Sequence, residues 1–359
     1  MTKDMKRRNF LKAGAVALPA AALAAPAIAQ GKIQWKLPSS FPAKAPGVGT
    51  NSANFAKRVE EMSGGRLSFK IYSAGELVPA FGVEDAVQQG VAEIGHSAAY
   101  FAAGKNSALH FFSNIPFGMT ATEHYSWLKY GGGQELWDEI SAERNLKPFY
   151  VGNSGAQSAG WFKKPIESVA DLSGLNMRIA GLGGEVIRKL GVNAVLLPPP
   201  EIFAAFQSGA IDAAEWVGPM LDQAFGLNKV AEYCYLPAFH EPSAAIELVV
   251  NKDAYDALPD DLKAIITYAA EAASADNDAE FDYFNSISFA KLKEDGVKFA
   301  AFPDDVIAAL RKATDEVLQE QATANPQFAR VMESYNATLE RSRAYGSAMK
   351  APSMTMRDI

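Results

Sequence analysis

Hydrophobic and polar positions along the chain fall into short blocks whose period switches between two and about 3.6. Residues 33–37 and 67–72 read as strands, and between them 52–62 carries apolar positions at helical spacing, stopped by Gly64-Gly65. The run Ser73-Ala74-Gly75-Glu76-Leu77-Val78-Pro79 leads into a second helix ending at Gln89, a glycine stop at Gly90 and a short strand over 93–98. This alternation of strand and helix predicts an α/β fold, with a mostly parallel sheet covered by helices.

The same rhythm returns later: a strand over 176–180, a helix over 184–190, a strand over 194–197 and a helix over 201–207. Ala86-Val87-Gln88-Gln89-Gly90-Val91-Ala92-Glu93 echoes Ala205-Phe206-Gln207-Ser208-Gly209-Ala210-Ile211-Asp212, each a helix end, a glycine stop and an acidic approach to a strand. The echo predicts two lobes of similar build, and a chain of 359 residues exceeds what a single core usually fills. Residues 260–295 contain neither Gly nor Pro, and apolar positions recur at helical spacing from Leu262 to Ile287. One or two helices fill this stretch; a single one would be about 50 Å long and could run along both lobes. The tail after Asn325 is helix-like but polar, suited to packing on the lobes or on a partner chain.

The first residues change the compartment. Lys6-Arg7-Arg8-Asn9-Phe10-Leu11-Lys12 precedes an alanine-rich apolar stretch that ends at Ala27-Ile28-Ala29, a small-x-small cleavage site. Residues 1–29 therefore read as an export signal, and the paired arginines favour the twin-arginine type over an ordinary secretory one. As a membrane anchor the stretch is too short and is broken by Pro19 and Pro26. Losing that segment makes an acidic chain more so, from a formal charge of −7, because it holds five basic residues and one acid. A nucleic-acid partner is excluded by this charge and by the lack of any Lys/Arg-rich run. Cys234 is the only cysteine, so no intramolecular disulfide forms in the oxidising periplasm.

Catalytic constellations fail on inspection. Gly152-Asn153-Ser154-Gly155-Ala156 lacks the glycine spacing of a nucleophile elbow. Gly181-Leu182-Gly183-Gly184 is followed by no Lys-Ser/Thr, and His240-Glu241-Pro242 cannot be the helical zinc-protease motif. Binding chemistry has better candidates. Arg178 lies near the carboxyl end of a predicted strand before a Gly-rich turn, where open α/β sheets bind ligands, and its guanidinium fork suits a carboxylate. Glu215-Trp216-Val217-Gly218-Pro219 puts a carboxylate after another strand. A carboxylate beside an anion site calls for a hard cation between them, with Glu215, the Gln157 amide and a backbone carbonyl as oxygen donors.

At these residues the chain resembles the solute-binding subunits of tripartite ATP-independent periplasmic (TRAP) transporters, the DctP-type family, and within it the 2-oxo-acid-binding branch. Ser73 to Pro79, Tyr130-Gly131-Gly132-Gly133, Gly152 to Gln157, Gly160-Trp161-Phe162, Met177-Arg178 and Glu215 to Pro219 carry the resemblance in order. It implies a two-lobed, type II-like periplasmic-binding-protein fold: lobe 1 mainly from 30–152, lobe 2 mainly from 153–240, a return strand within 241–258, a spanning helix over 259–296 and carboxyl-terminal helices from 297 to 359. Two hinge strands would join the lobes.

It further implies that Arg178, Gln157, Asn153, Tyr100 and Trp216 contact a small organic carboxylate such as pyruvate or lactate. Gln157, Glu215, the Trp216 carbonyl and Glu241 would hold a sodium or calcium ion, with no organic cofactor. The implied partners are the transporter's membrane subunits and, as in some relatives, a second copy of the chain. The stretch Ala238-Phe239-His240-Glu241-Pro242 is less aromatic than that branch. A C4-dicarboxylate subunit, a binding protein of an ATP-driven importer and a cofactor-containing periplasmic enzyme are the competing expectations.

Overall fold

The computed structural model describes residues 31–358, so the predicted export signal lies outside the described residues. The chain first lays down β1 (Ile33–Pro38), β2 (Leu67–Tyr72), β3 (Ile94–Ser97) and β4 (Leu146–Asn153). Then come β5 (Gly160–Phe162), β6 (Asn176–Arg178), β7 (Asn193–Val195), β8 (Ala213–Ala214) and β9 (Tyr233–Tyr235). Last are β10 (Ala245–Asn251) and β11 (Lys298–Ala300).

Two layers of strands result. In the first, β1 runs parallel to β2, a parallel bridge from Ser39 to His96 links β1 to β3, and β10 lies antiparallel between β3 and β4. In the second, the order is β11-β9-β5-β8-β6-β7, with β5 antiparallel between β8 and β9 and the remaining pairs parallel. Both lobes thus repeat one order: second strand, first, third, an antiparallel strand arriving from the other lobe, fourth. The sheets are mixed rather than mostly parallel because each lobe receives that one reversed strand. The sequence echo has its geometric counterpart, since helices Val83–Gln88 and Ile202–Ser208 are each stopped by a left-handed glycine, Gly90 at φ +72° and Gly209 at φ +81°.

The chain crosses between lobes after β4 and again before β10, and the two crossing segments pair with each other. Ser154 N–H donates to the Ala244 carbonyl at 2.9 Å, Ala238 N–H to the Gln157 carbonyl at 3.1 Å and Gln157 N–H to the Pro242 carbonyl at 3.2 Å. A hydrogen-bonded ribbon bends more readily than it slides, which makes these segments hinges.

Residues 260–294 form one helix, Asp260–Glu294, of 35 residues, about 50 Å long at 1.5 Å per residue. It packs on β4 and helix Thr50–Met62 of the first lobe and on helix Pro219–Ala224 of the second. Asn277 accepts from the Asn153 N–H at 2.7 Å and Asn285 from the Met220 N–H at 2.9 Å, so one helix pins both sides of the hinge. Helix Asp304–Ala324 packs on helix Gly183–Arg188 of the second lobe, and Pro326–Tyr345 packs on residues 107–112 of the first. Phe111, Phe328 and Tyr335 lock that last contact with ring centroids 4.7 and 5.2 Å from Phe111.

Candidate functional site

The crossing segments and the carboxyl ends of β6 and β8 bring Arg178, Glu215, Gln157, His240 and Glu241 into one buried cluster. Arg178 and Glu215 are each 1 % exposed. Arg178 ends β6, and its Nη1 donates to the Glu215 carbonyl at 2.6 Å and to Glu215 Oε2 at 2.8 Å, while Nε reaches the Leu197 carbonyl at 3.4 Å. Among the described residues Nη2 has no hydrogen bond, so half of the guanidinium fork is uncommitted. The Ala180 N–H also donates to Glu215 Oε2, at 3.2 Å.

Glu215 is thus divided: Oε2 is fully engaged, and Oε1 is buried with no donor. What faces Oε1 is His240 Nε2 at 3.6 Å. His240 Nε2 in turn lies 3.2 Å from Gln157 Oε1 and 3.9 Å from Glu241 Oε1. The Gln157 amide is oriented by its own N–H group, which donates to Ser154 Oγ at 2.7 Å and to Glu241 Oε1 at 3.1 Å. Donor atoms of Glu215, His240 and Glu241 all lie within 4.8 Å of one another. The Trp216 carbonyl accepts no hydrogen bond among the described residues.

Two carboxylates this close and this buried do not share charge equally. Burial alone raises both, but at Glu215 the Arg178 guanidinium and His240 more than offset it and hold the carboxyl below the usual range. At Glu241 burial dominates over His240, the Glu215 charge adds to it, and the carboxyl is pushed up to about 7. An orphaned carboxylate oxygen with a second carboxyl group close by offers oxygen donors to a hard cation. Glu215 and Glu241, with the Gln157 amide oxygen beside His240, are the oxygen donors this cluster offers such an ion.

Tyr100, just after β3, is a first-lobe residue that lies beside this cluster. Burial raises its hydroxyl well above the ordinary range, and the nearby Glu241 and Glu215 charges raise it further. The Trp216 ring lies 5.5 Å from the Arg178 guanidinium carbon and 5.0 Å from the Phe225 ring. Asn153 sits at the hinge, but its side chain bonds the Tyr150 hydroxyl, Asp278 and the Gly155 N–H rather than Arg178. Its neighbour Ser154 faces Gln157 instead, as alternation along an extended segment dictates. Trp161 and His96 belong to the core: the Trp161 N–H donates to Asp222 at 2.8 Å, and His96, its pKa lowered to about 3 by burial, bonds Ser39 Oγ at 3.0 Å.

His240 is the site residue that sequence reasoning missed. Its seat depends on Gly183: a Cβ there would come within 2.5 Å of His240 Cβ. The residue's place beside Glu241, on a segment less aromatic than expected, was the available signal.

Two lobes, paired hinge strands, a helix tying both and a buried polar cluster at the hinge define a solute-binding protein of the two-lobed class. Residues 40–325 match the family described as bacterial extracellular solute-binding protein, family 7, so the chain belongs to that DctP family, the solute-binding proteins of TRAP transporters. It is 39% identical over 341 residues to the monocarboxylate 2-oxoacid-binding periplasmic protein of Nostoc sp., covering 93% of each chain. A TRAP periplasmic solute-binding protein of Pseudoalteromonas atlantica, solved with sodium and pyruvate, is 39% identical with a TM-score of 0.88, covering 90% of this chain and 99% of that one. The Bordetella bronchiseptica protein, a dimer with copurified calcium and picolinate in one site, is 35% identical with a TM-score of 0.89, covering 91% and 97%.

Proposed function

We propose that this protein captures a small 2-oxo or 2-hydroxy monocarboxylate, pyruvate or lactate in size, in the periplasm and passes it unchanged to the membrane subunits of a TRAP transporter. The observation that carries the reading is the division of Glu215. The uncommitted Nη2 of Arg178 is the anchor for the ligand carboxylate, and a second anion drawn to Arg178 would meet the Glu215 charge in a dry site. A sodium or calcium ion on Glu215 Oε1, Gln157, Glu241 and the Trp216 carbonyl removes that conflict. Tyr100 and Trp216 bound the rest of the pocket, while Asn153 braces the hinge through Tyr150 and Asp278. Sodium with pyruvate, and calcium with picolinate, in similar proteins support the pairing of ion and carboxylate.

Because the cluster is closed off from solvent, ligand enters only when the lobes part, and closure on the hinge ribbon gives the membrane subunits a state to recognise. A second copy of the chain is proposed to cover the carboxyl-terminal segment, where Tyr345, Met349, Met354 and Met356 are exposed. The test is thermal unfolding of ligand-stripped protein against pyruvate, lactate, longer 2-oxo acids and C4 dicarboxylates, each with sodium, calcium or a chelator. Ligand at 100 times its Kd stabilises by ~2.7 kcal/mol. A cation-dependent shift with monocarboxylates is expected; a shift with dicarboxylates alone, or with none, overturns the assignment.

A further inference from the structure

Arg311 and Arg343 share a cleft of about 390 Å³ between helices Asp304–Ala324 and Pro326–Tyr345, bounded on its third side by residues 115–117. Among the described residues no carboxylate lies within ion-pair distance of either guanidinium, although Asp315 and Glu340 line the same cleft. What holds the pair is Phe117. The Arg311 guanidinium carbon lies 4.0 Å from the centroid of its ring, and its carbonyl accepts from Arg343 Nη2 at 2.8 Å. Both contacts steady a guanidinium and neither supplies a counter-charge. Burial lowers the Arg311 pKa from its usual value, and the Arg343 charge lowers it by more than Asp315 restores. Two cations held close without a counter-ion favour an anion that bridges them.

Phe117 also ties the cleft to the hinge. It adopts φ +55°, which a bulky residue rarely takes, and its N–H donates at 2.7 Å to the carbonyl of Phe239, the residue before His240. Arg311 stands on the helix that packs on the second lobe, whereas Arg343 stands on the helix that packs on the first.

We propose that Arg311 and Arg343 bind a tetrahedral dianion of the phosphate or sulfate class, and that the bound anion clamps the lobes in their closed arrangement. The cleft shares no residue with the cluster around Arg178. A guanidinium fork pairs with such an oxyanion through parallel N–H donors, so one anion has oxygens enough for both. An anion that joins elements anchored in opposite lobes favours closure, and by linkage binds more tightly once ligand has closed them. The clamp rests on the reading that a carboxylate closes the lobes; the anion site does not.

The experiment uses the ligand-stripped full chain with sulfate or phosphate as the probe, at constant ionic strength made up with chloride. Calorimetric titration is expected to give one saturable site, weakened ~10- to 100-fold by Arg311→Gln and by Arg343→Gln. Arg311→Lys keeps the charge and loses the fork, and is expected to fall between. Arg178→Ala is expected to leave anion affinity within ~3-fold of wild type, which separates this site from the carboxylate pocket. Saturating sulfate is then expected to tighten pyruvate binding by ~5-fold or more, an effect absent in Arg311→Gln. No saturable anion binding, or binding that survives both glutamine variants, overturns the site. Anion bound at the arginines with pyruvate affinity unchanged overturns the clamp. If pyruvate does not bind at all, the capture reading fails and the clamp with it, while the sulfate titration still decides the site.

Discussion

Two arginines in this molecule, Arg178 fully buried and Arg144 partly so, hold carboxylates, and they do so in opposite ways. Arg144, just past helix Gly133–Ala142, donates to Glu84 through Nη1 and to Asp85 and Gln88 through Nη2, at 3.0 and 2.9 Å. All three partners lie on the one short helix Val83–Gln88, and both terminal nitrogens are used. Arg178 spends Nη1 twice on Glu215 and leaves Nη2 free, and the groups around it come from four separate chain segments that meet at the hinge. Crowded carboxyls near Arg144 are relieved by protons: burial, then the Glu84 charge, raises Glu247 far above its ordinary range. Near Arg178 the crowding is left unrelieved at Glu215 Oε1. A saturated polar cluster serves the fold, and an unsaturated one at a moving joint serves a ligand.

The largest test of that contrast is Arg178→Ala, expected to weaken carboxylate binding by at least ~1000-fold, about 4 kcal/mol, in a calorimetric titration. Arg144→Ala should do the reverse. It removes the partner of a largely buried carboxyl and is expected to cost ~3 kcal/mol in denaturant unfolding, with ligand affinity unchanged. Next in size, Glu215→Gln keeps an acceptor for Arg178 and loses the charge, so the gain in pyruvate affinity on adding cation, ~10-fold or more in the wild type, should vanish.

The smallest effect is a pH slope. Burial, opposed by Arg144, pushes Glu84 up to about 7 from 4.5, so the folded protein binds the extra proton across that window. Stability therefore falls as pH rises from about 4.5 to 7. Glu84→Gln is expected to flatten the thermal midpoint over that window; an unchanged slope would remove Glu84 from the account.

How much of this was readable beforehand varied with the range of the interaction. Strand 67–72 and the helix stops at Gly90 and Gly209 are local, set by period and backbone conformation, and the sequence predicts them closely. The reversed strand in each lobe is not local: β10 inserts between β3 and β4 through pairing across about 100 to 150 residues, which no periodicity records. Between one helix and two over 260–294, the structure has one, because Asn277 and Asn285 fasten it to both lobes.

The sequence singles out Arg178 and Glu215, which the structure brings together, because strand ends collect ligands and a carboxylate beside an anion anchor is a conflict. Asn153 and Ser154 show the limit. One residue's difference in which side of an extended segment faces the cluster is decided by the partners Asp278 and Gln157, which are distant in the chain.

The most direct test is titration of pyruvate into chelator-stripped wild-type protein, with the cation either present or replaced by a bulky organic ion. The account predicts tight binding with the cation and at least ~10-fold weaker binding without it, because Glu215 then opposes the carboxylate. Equal affinity in both solutions would mean that the Glu215 charge is already compensated within the protein and that no ion belongs beside Arg178.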